Sequence, residues 1–172
     1  ERAQGRMDSA ALTALERDLP AGGKVAIDSA PLIYFIEEHP RYLEAVETVL
    51  RWVDTGRIEA VTSTVTLIEV LSRPLGEGDL DLSRRYVDVL TSSRGFTVRA
   101  VDVAMAVRAA ELRAKYRLRT PDAIQVACAI ESGCNALVTN DVKLRGVDET
   151  TIVILDDLIG PSGPPADRVS EP

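Results

Sequence analysis

Short apolar segments alternate with amphipathic helical segments along most of this 172-residue chain. Five segments have the apolar, β-branched character of buried strands: residues 24–27, 58–63, 96–100, 136–139 and 151–155. Helical spacing or helix-start residues mark the segments between them, at residues 31–38, 41–54, 64–72, 79–91, 102–116 and 120–132. Because strands separated by helices are joined by right-handed crossovers, this alternation predicts an α/β fold whose sheet is mostly parallel and covered by helices on both faces.

The length predicts one domain with a substantial core. We expect residues 1–20 to form an N-terminal extension that is flexible, residues 21–159 to form the folded domain, and the Pro-, Gly- and Ser-rich residues 160–172 to form a disordered tail. Met7 is a candidate for the natural start. No apolar run approaches the roughly 18 residues that cross a bilayer, and the first residues lack the apolar core of a signal peptide. A cytoplasmic protein without membrane contact is therefore expected.

The residue types argue against several classes of site. Cys128 and Cys134 have no histidine near them in the sequence, which disfavours a zinc site, and a disulfide is not expected in a cytosolic chain. His39 is the single histidine, so serine and cysteine triads lack their usual base. The formal net charge of −7 disfavours a general nucleic-acid coat but is compatible with a nuclease whose carboxylates bind metal.

Four carboxylates occupy positions where an ordinary surface acid is not expected. Asp28 directly follows the first strand and Asp141 follows the strand at 136–139, so both belong to the carboxyl edge of the predicted sheet, where ligands gather in such folds. Glu69 lies in an otherwise apolar helical segment, where a buried carboxylate would need a partner or a metal ion. Asp122 begins the most apolar helix of the chain, in R-T-P-D-A-I-Q-V-A.

Each of these acids also has an ordinary structural explanation. Asp28 could cap the following helix, and Glu69 could face solvent. Asp122 could be a first-turn acid favoured by the helix dipole, in a helix capped by Thr120, and Asp141 could be a turn residue. Their combination argues for chemistry, because four acids enter from four separated elements and two of them share one sheet edge. Oxygen ligands of this kind suit Mg²⁺ or Mn²⁺, for which phosphodiester hydrolysis is the natural reaction.

Four sequence segments resemble the PIN domain family, in order and at fitting distances: I-D-S-A-P-L-I-Y-F-I-E, T-S-T-V-T-L-I-E-V-L, R-T-P-D-A-I-Q-V-A-C-A and L-V-T-N-D-V-K-L. Within that family, length and composition look most like the VapC-type toxins of bacterial toxin–antitoxin pairs. The resemblance implies a Rossmann-like three-layer α/β/α sandwich with about five strands. It also implies an endoribonuclease that depends on Mg²⁺ or Mn²⁺ and hydrolyses RNA phosphodiester bonds.

The resemblance also implies roles for individual residues. Asp28, Glu69, Asp122 and Asp141 match the family's catalytic and metal-binding acids. Ser29 and Thr139 would orient those carboxylates, whereas Asn140 stands where some members carry a further acid and would contribute a hydrogen bond. The implied partners are an RNA substrate, a VapB-like antitoxin that lies across the active-site groove, and a second copy of the chain in a homodimer.

Arginines flank the predicted metal edge. Arg117 and Arg119 precede Asp122, and Arg145 follows Asp141. They could contact RNA phosphates or simply form a solvated surface, and the sequence leaves both interpretations open.

The alternatives differ in class. A PIN nuclease that processes RNA without an antitoxin and a PIN module that only binds a partner both remain compatible with the sequence. A haloacid-dehalogenase-like phosphatase is disfavoured because position 30, where it would need a second aspartate, is Ala30. A response-regulator receiver is disfavoured because Ile27 stands where an acid pair would be required.

Overall fold

The structure is a computed structural model that describes residues 7–159, and it contains one five-stranded sheet. The strands are β1 (Lys24–Ile27), β2 (Glu59–Ser63), β3 (Phe96–Arg99), β4 (Ala136–Thr139) and β5 (Thr151–Ile154). The helices are α1 (Ser9–Asp18), α2 (Ser29–Ile36), α3 (Leu43–Asp54), α4 (Thr64–Glu77), α5 (Leu80–Ser92), α6 (Val103–Tyr116), α7 (Thr120–Glu131) and α8 (Leu155–Leu158). A 3₁₀ turn, Val142–Gly146, follows β4.

All strand pairs are parallel, in the order β3-β2-β1-β4-β5. The chain therefore builds one half of the sheet outward from β1 to β3 and then crosses back to place β4 on the other side of β1. Ile27 at the end of β1 is in register with Val138 in β4. This crossing makes the β1–β4 boundary the switch point where ligands bind in such sheets. The α/β/α fold class with a five-stranded parallel sheet is confirmed.

Two apolar clusters lie on opposite faces of the sheet, because successive side chains of a strand point to opposite sides. Val25 and Ile27 of β1 belong to one cluster, whereas Ala26 belongs to the other. The first cluster also takes side chains from α1, α2, α3, α4, α5 and α8, and the second takes them from α6 and α7. The sheet is thus buried on both faces, as parallel sheets generally are.

The N-terminal segment is more ordered than the sequence indicated. We expected residues 1–20 to be flexible, but α1 is capped by Asp8, and Leu15 and Leu19 are fully buried in the first apolar cluster. The helix was missed because few of its residues reach the core, so its apolar stripe is short and most of its side chains are polar or small. Residues 1–6 and the tail at 160–172, which we predicted to be disordered, lie outside the described residues.

Two helix boundaries also differ from expectation. We expected α4 to end at residue 72 before Pro74, but Pro74 is buried inside α4, which continues to a left-handed C-cap at Gly78. A proline costs one backbone hydrogen bond, and the burial of its ring offsets part of that cost. Thr120 was expected to cap α7, but Arg119 occupies the cap position and forms no side-chain capping bond. Among the helices of residues 7–159, none combines the length and apolar character required to span a bilayer.

Candidate active site

Asp28 lies at the carboxyl end of β1, where three hydrogen bonds fix its position. Its backbone N–H donates to the Val138 carbonyl at 3.0 Å, which extends the β1–β4 pairing by one residue. The Ser29 backbone N–H and the Thr139 hydroxyl each donate to its carboxylate, both at 2.7 Å. Asp28 therefore caps α2 and at the same time presents a rigidly held carboxylate at the switch point of the sheet.

The three other predicted acids reach the same place. An open cleft of about 410 Å³ at this edge is lined by Asp28, Ser29, Ala30, Ile33, Tyr34, Glu69, Arg119, Asp122, Asn140 and Asp141. Glu69 is not buried, contrary to the reasoning that first singled it out, and it is exposed on α4. Its carboxylate is nevertheless held, because the Ser29 hydroxyl donates a hydrogen bond to Oε2. The cleft thus collects acids from four separate elements.

Arg119 pairs with two of these carboxylates. Its guanidinium contacts Asp122 at 2.9 and 3.2 Å and approaches Asp141 to 3.6 Å. The two acids are largely shielded, with side chains 13% and 23% exposed, whereas the Arg119 side chain is 71% exposed. Asp122 also serves as the first-turn acid of α7, and Asp141 caps the 3₁₀ turn by accepting the Lys143 N–H at 2.9 Å. Their structural roles and their place in the cleft coexist.

The electrostatic environment of Asp28 differs from that of Asp122 and Asp141. Burial raises the pKa of this carboxyl, and the neighbouring charges of Glu69 and Asp122 raise it further, while the hydrogen bonds from Thr139 and Ser29 oppose the shift. Asp28 has no ion-pair partner within residues 7–159. A shielded carboxylate among like charges is unfavourable unless a cation joins it.

The donor set fits a hard divalent cation, since all four side chains offer carboxylate oxygens. As the side chains are oriented, however, residues 7–159 contain no group of three or more acidic, histidine or cysteine side chains that encloses an ion. In this arrangement the Arg119 guanidinium contacts both Asp122 and Asp141. An ion at this edge would be held by Asp28, Asp122 and Asp141, with Glu69 beside them, once the Arg119 contacts open.

The remaining predicted residues divide between the cleft and other surfaces. Ser29 and Thr139 contact the acids as expected. Asn140 lines the cleft, but its side-chain carbonyl oxygen accepts a hydrogen bond from the backbone N–H of Asp156 at 3.0 Å. Asn140 therefore positions α8 rather than one of the four predicted site acids. Arg145 pairs with Asp157 at 2.7 Å, and Arg117 is the exposed, left-handed C-cap of α6. Neither of these two arginines lines the cleft.

A buried polar network lies directly behind the cleft, and the sequence reasoning missed it. Thr62, Ser63, Thr66 and Gln125 are each at most 2% exposed, and they hydrogen bond to one another and to Ser29. The available signal was the run of hydroxyl residues T-S-T-V-T at the end of a predicted buried strand and the amide within the apolar run A-I-Q-V-A. Such groups are buried only when their hydrogen bonds are satisfied.

A more enclosed cavity of about 380 Å³ lies elsewhere, between α3, α5 and β3, and none of the four acids lines it. Its wall combines apolar side chains with a few charged ones, without a convergent set of catalytic groups. We therefore place the candidate active site at the open acidic cleft, because four carboxylates converge there and none of them lines the more enclosed cavity.

Comparison with known proteins agrees with this fold. The PIN domain family model matches residues 25–150, which include all four acids, and the chain belongs to the PIN domain family. Among solved structures, the chain is similar to VapBC2 from Rickettsia felis, bound to a DNA fragment from its promoter (TM-score 0.63, 15% identity, 76% of this chain and 98% of that one). It is also similar to a toxin–antitoxin complex from Klebsiella pneumoniae (0.60, 21%, 76% and 97%).

Two further similarities complete the comparison. VapC20 from Mycobacterium tuberculosis, a sarcin–ricin loop cleaving toxin, superimposes with a TM-score of 0.57 at 14% identity, covering 74% of this chain and 98% of that one. Peptide chain release factor 1 from Deinococcus deserti is 35% identical over 120 residues, which is 68% of this chain. The chain spans about 30% of the length of that curated relative.

Proposed function

We propose that this protein is an endoribonuclease dependent on Mg²⁺ or Mn²⁺ and the toxin of a type II toxin–antitoxin pair. The convergence of Asp28, Glu69, Asp122 and Asp141 on one cleft at the switch point of the sheet carries the proposal. The raised pKa of Asp28 supports it, because that carboxylate lacks the positive charge that its environment requires. Membership of the PIN domain family adds a second, independent line of support.

Different residues of the chain would bind the ion and orient its ligands. When bound, the ion would lower the pKa of a water molecule and stabilise charge on the phosphate and its leaving oxygen. Asp28, Asp122 and Asp141 would hold the ion, Thr139 and Ser29 would keep Asp28 and Glu69 oriented, and Glu69 would stay open to solvent at the substrate side. Carboxylates fixed by neighbouring hydrogen bonds lose little entropy when the ion binds.

Arg119 would be the nearest phosphate ligand. It is anchored one turn from the acids but largely exposed, so it can turn from Asp122 toward a phosphate that enters the cleft. Arg117 and Arg145 lie outside the cleft, and we propose for them only the weaker role of contacting RNA away from the cleaved bond.

The structural neighbours support the toxin part of the proposal. Several of them are complexes of a toxin with an antitoxin, and one is described as a toxin that cleaves the sarcin–ricin loop. We propose a VapB-like antitoxin that covers the cleft, a homodimer as the assembled toxin, and a cytoplasmic location for both. The Arg119 contacts show that a guanidinium fits beside Asp122 and Asp141, so an antitoxin side chain of the same type could occupy that position.

The proposal is tested by incubating purified protein with RNA and Mn²⁺. We expect cleavage that stops in EDTA and in Asp28→Asn, with an unchanged circular dichroism spectrum for the variant. Cleavage that persists in EDTA or in Asp28→Asn would contradict the metal mechanism. The toxin role is tested by inducing the gene in a host cell and sequencing the new RNA ends. Growth arrest that is absent for Asp122→Asn would support it, whereas cleavage without growth arrest would favour an RNA-processing nuclease.

A further inference from the structure

Gln125 is a polar side chain in the most apolar helix of the protein. It lies in α7 between Ala123, Val126 and Ala127, all of which are fully buried, and is itself only 2% exposed. Burying an amide without partners is strongly unfavourable, so a glutamine at this depth must form hydrogen bonds that stabilise it. Packing alone does not explain the residue, because leucine would fill a similar volume without that cost.

Every polar atom of this amide has a partner. Its Nε2 donates to the Thr66 hydroxyl at 2.6 Å and lies 3.4 Å from the Ser29 hydroxyl. Its Oε1 accepts a hydrogen bond from Ser63 at 3.1 Å. Gln125 therefore joins α7 to the β2–α4 junction and to the start of α2.

The hydroxyls in contact with Gln125 form a chain that ends at Glu69. Thr62 lies 2.7 Å from Thr66, Thr66 lies 3.2 Å from Ser29, and the Ser29 hydroxyl contacts the Glu69 carboxylate. Ser29 has one hydroxyl proton, and an ionised carboxylate can only accept. The proton of Ser29 is thus directed at Glu69, and the Ser29 oxygen is left to accept from Thr66 and Gln125.

This network touches the three elements that carry three of the four acids. Gln125 lies one turn beyond Asp122 on α7, Thr66 lies one turn before Glu69 on α4, and Ser29 directly follows Asp28. We infer that Gln125 is a positioning residue of the active site, which fixes the spacing of Asp28, Glu69 and Asp122 through the Thr66 and Ser29 hydroxyls. This inference rests on the proposed metal-dependent function and assigns to it a residue outside the cleft.

The inference predicts a loss of metal affinity when the donors are removed without a change of shape. Gln125→Leu and Thr66→Val delete the amide and the hydroxyl while conserving most of the volume. We expect each to weaken Mn²⁺ binding about tenfold, the usual scale for groups that orient metal ligands. Thr66→Ser restores the hydroxyl and loses only a methyl group, so it should retain the wild-type affinity.

The matched control is Val126→Ala, which is on the same helix, equally buried and outside the network. It should lower the melting temperature without changing Mn²⁺ affinity. The double variant Gln125→Leu/Thr66→Val should bind Mn²⁺ about as weakly as either single variant, because both changes interrupt one path. In the cleavage assay the single variants should lower kcat with little change in KM for RNA, since the cleft that receives RNA is intact.

The measurement is isothermal titration of Mn²⁺ into each purified, folded variant. Weakened binding in Gln125→Leu and Thr66→Val, with retained binding in Thr66→Ser and Val126→Ala, would support the inference. Wild-type affinity in a folded Gln125→Leu, or equal losses in Thr66→Ser and Thr66→Val, would overturn it. If the wild-type protein itself fails to bind Mn²⁺, the proposed function fails first, so the two failures are distinguishable.

Discussion

One cluster of acids lies at the amino ends of the parallel strands and another lies at their carboxyl ends. The two clusters differ in the contacts that offset their negative charge. At the amino end of β5, Lys115 pairs with Glu149 at 2.9 Å and with Asp148 at 3.2 Å, and the Tyr116 hydroxyl lies within hydrogen-bonding distance of both acids. These hydrogen bonds, first from Tyr116 and then from Lys115, lower the pKa of Asp148 to about 2. At the carboxyl end, burial and neighbouring acids raise the pKa of Asp28.

The difference separates a structural cluster from the one that we propose to be functional. Asp148 and Glu149 both pair with Lys115 of the same chain, and these contacts tie the end of α6 to the loop before β5. Among the described residues that line the acidic cleft, the exposed Arg119 is the basic one, and its ion pairs are with Asp122 and Asp141 and not with Asp28. Perturbed carboxylates that lack a resident counter-charge are typical of sites completed by a ligand or ion.

The largest expected difference is in catalysis. Asp122→Asn should reduce RNA cleavage in Mn²⁺ at least about 100-fold, the scale of losing a group that organises transition-state charge. Glu149→Gln, the matched change in the other cluster, should leave the rate unchanged within a factor of about two. Initial rates on one RNA substrate measure both, and equal rates for the two variants would erase the functional distinction between the clusters.

The next effect concerns the Arg119 guanidinium, which already contacts two acids at the carboxyl edge. Arg119→Gln removes a competitor for Asp122 and Asp141, so it should tighten Mn²⁺ binding a few-fold, a modest change because the Arg119 side chain is exposed to solvent. Arg145→Gln breaks a pair outside the cleft and should leave the affinity as it was. Calorimetric titration provides the comparison, and weaker binding in Arg119→Gln would show that the arginine supports the ion instead.

A smaller effect, of opposite sign in the two clusters, is expected in thermal stability. In EDTA, Asp28→Asn should raise the melting temperature by roughly 2–4 °C, the shift that about 1 kcal/mol gives in a domain of this size, because it removes a shielded charge among like charges. Asp148→Asn should lower the melting temperature, since it breaks favourable contacts to Tyr116 and Lys115. Scanning calorimetry that gave the same sign for both variants would refute the comparison.

The smallest effect is the pH dependence of those two stability changes. Because the folded-state pKa of Asp148 is lowered to about 2, its contribution is complete above its unfolded pKa of about 3.9 and disappears as the pH falls toward 2. The folded-state pKa of Asp28 is raised, so its ionisation destabilises the fold, and acidification removes that penalty at a higher pH. Denaturant titrations from pH 7 to pH 2 should show the Asp28→Asn difference fading before the Asp148→Asn difference.

Much of the acidic site could be predicted because the rules involved are local. A strand that ends in Asp28 and another followed by Asp141 must place both acids at the same edge if the strands are parallel neighbours, and they are. The position of Asp122 followed from its place in the first turn of a predicted helix. Glu69 was selected on the assumption of burial, which the structure contradicts, yet the Ser29 contact still holds it at the cleft.

Other features could not be predicted because they depend on tertiary partners. Pro74 is a helix breaker by local rules, and only its burial explains why α4 continues past it. In the sequence, Gln125 is a single polar residue in an apolar helix. Its role becomes visible only in the fold, where it contacts Ser63 and Thr66, which lie about 60 positions earlier in the chain. For Arg119 the sequence left RNA contact and a solvated surface both open, and its approach to Asp141 could not be predicted because it depends on how α7 lies against the end of β4.

The most direct test of the central claim is calorimetric titration of Mn²⁺ into the wild-type protein, Asp28→Asn and Asp148→Asn under identical conditions. The account predicts saturable binding by the wild-type protein, unchanged binding by Asp148→Asn, and binding by Asp28→Asn that is weakened at least about tenfold. Equal affinity in all three proteins, or loss of binding in Asp148→Asn alone, would contradict the assignment of the ion to the carboxyl edge of the sheet.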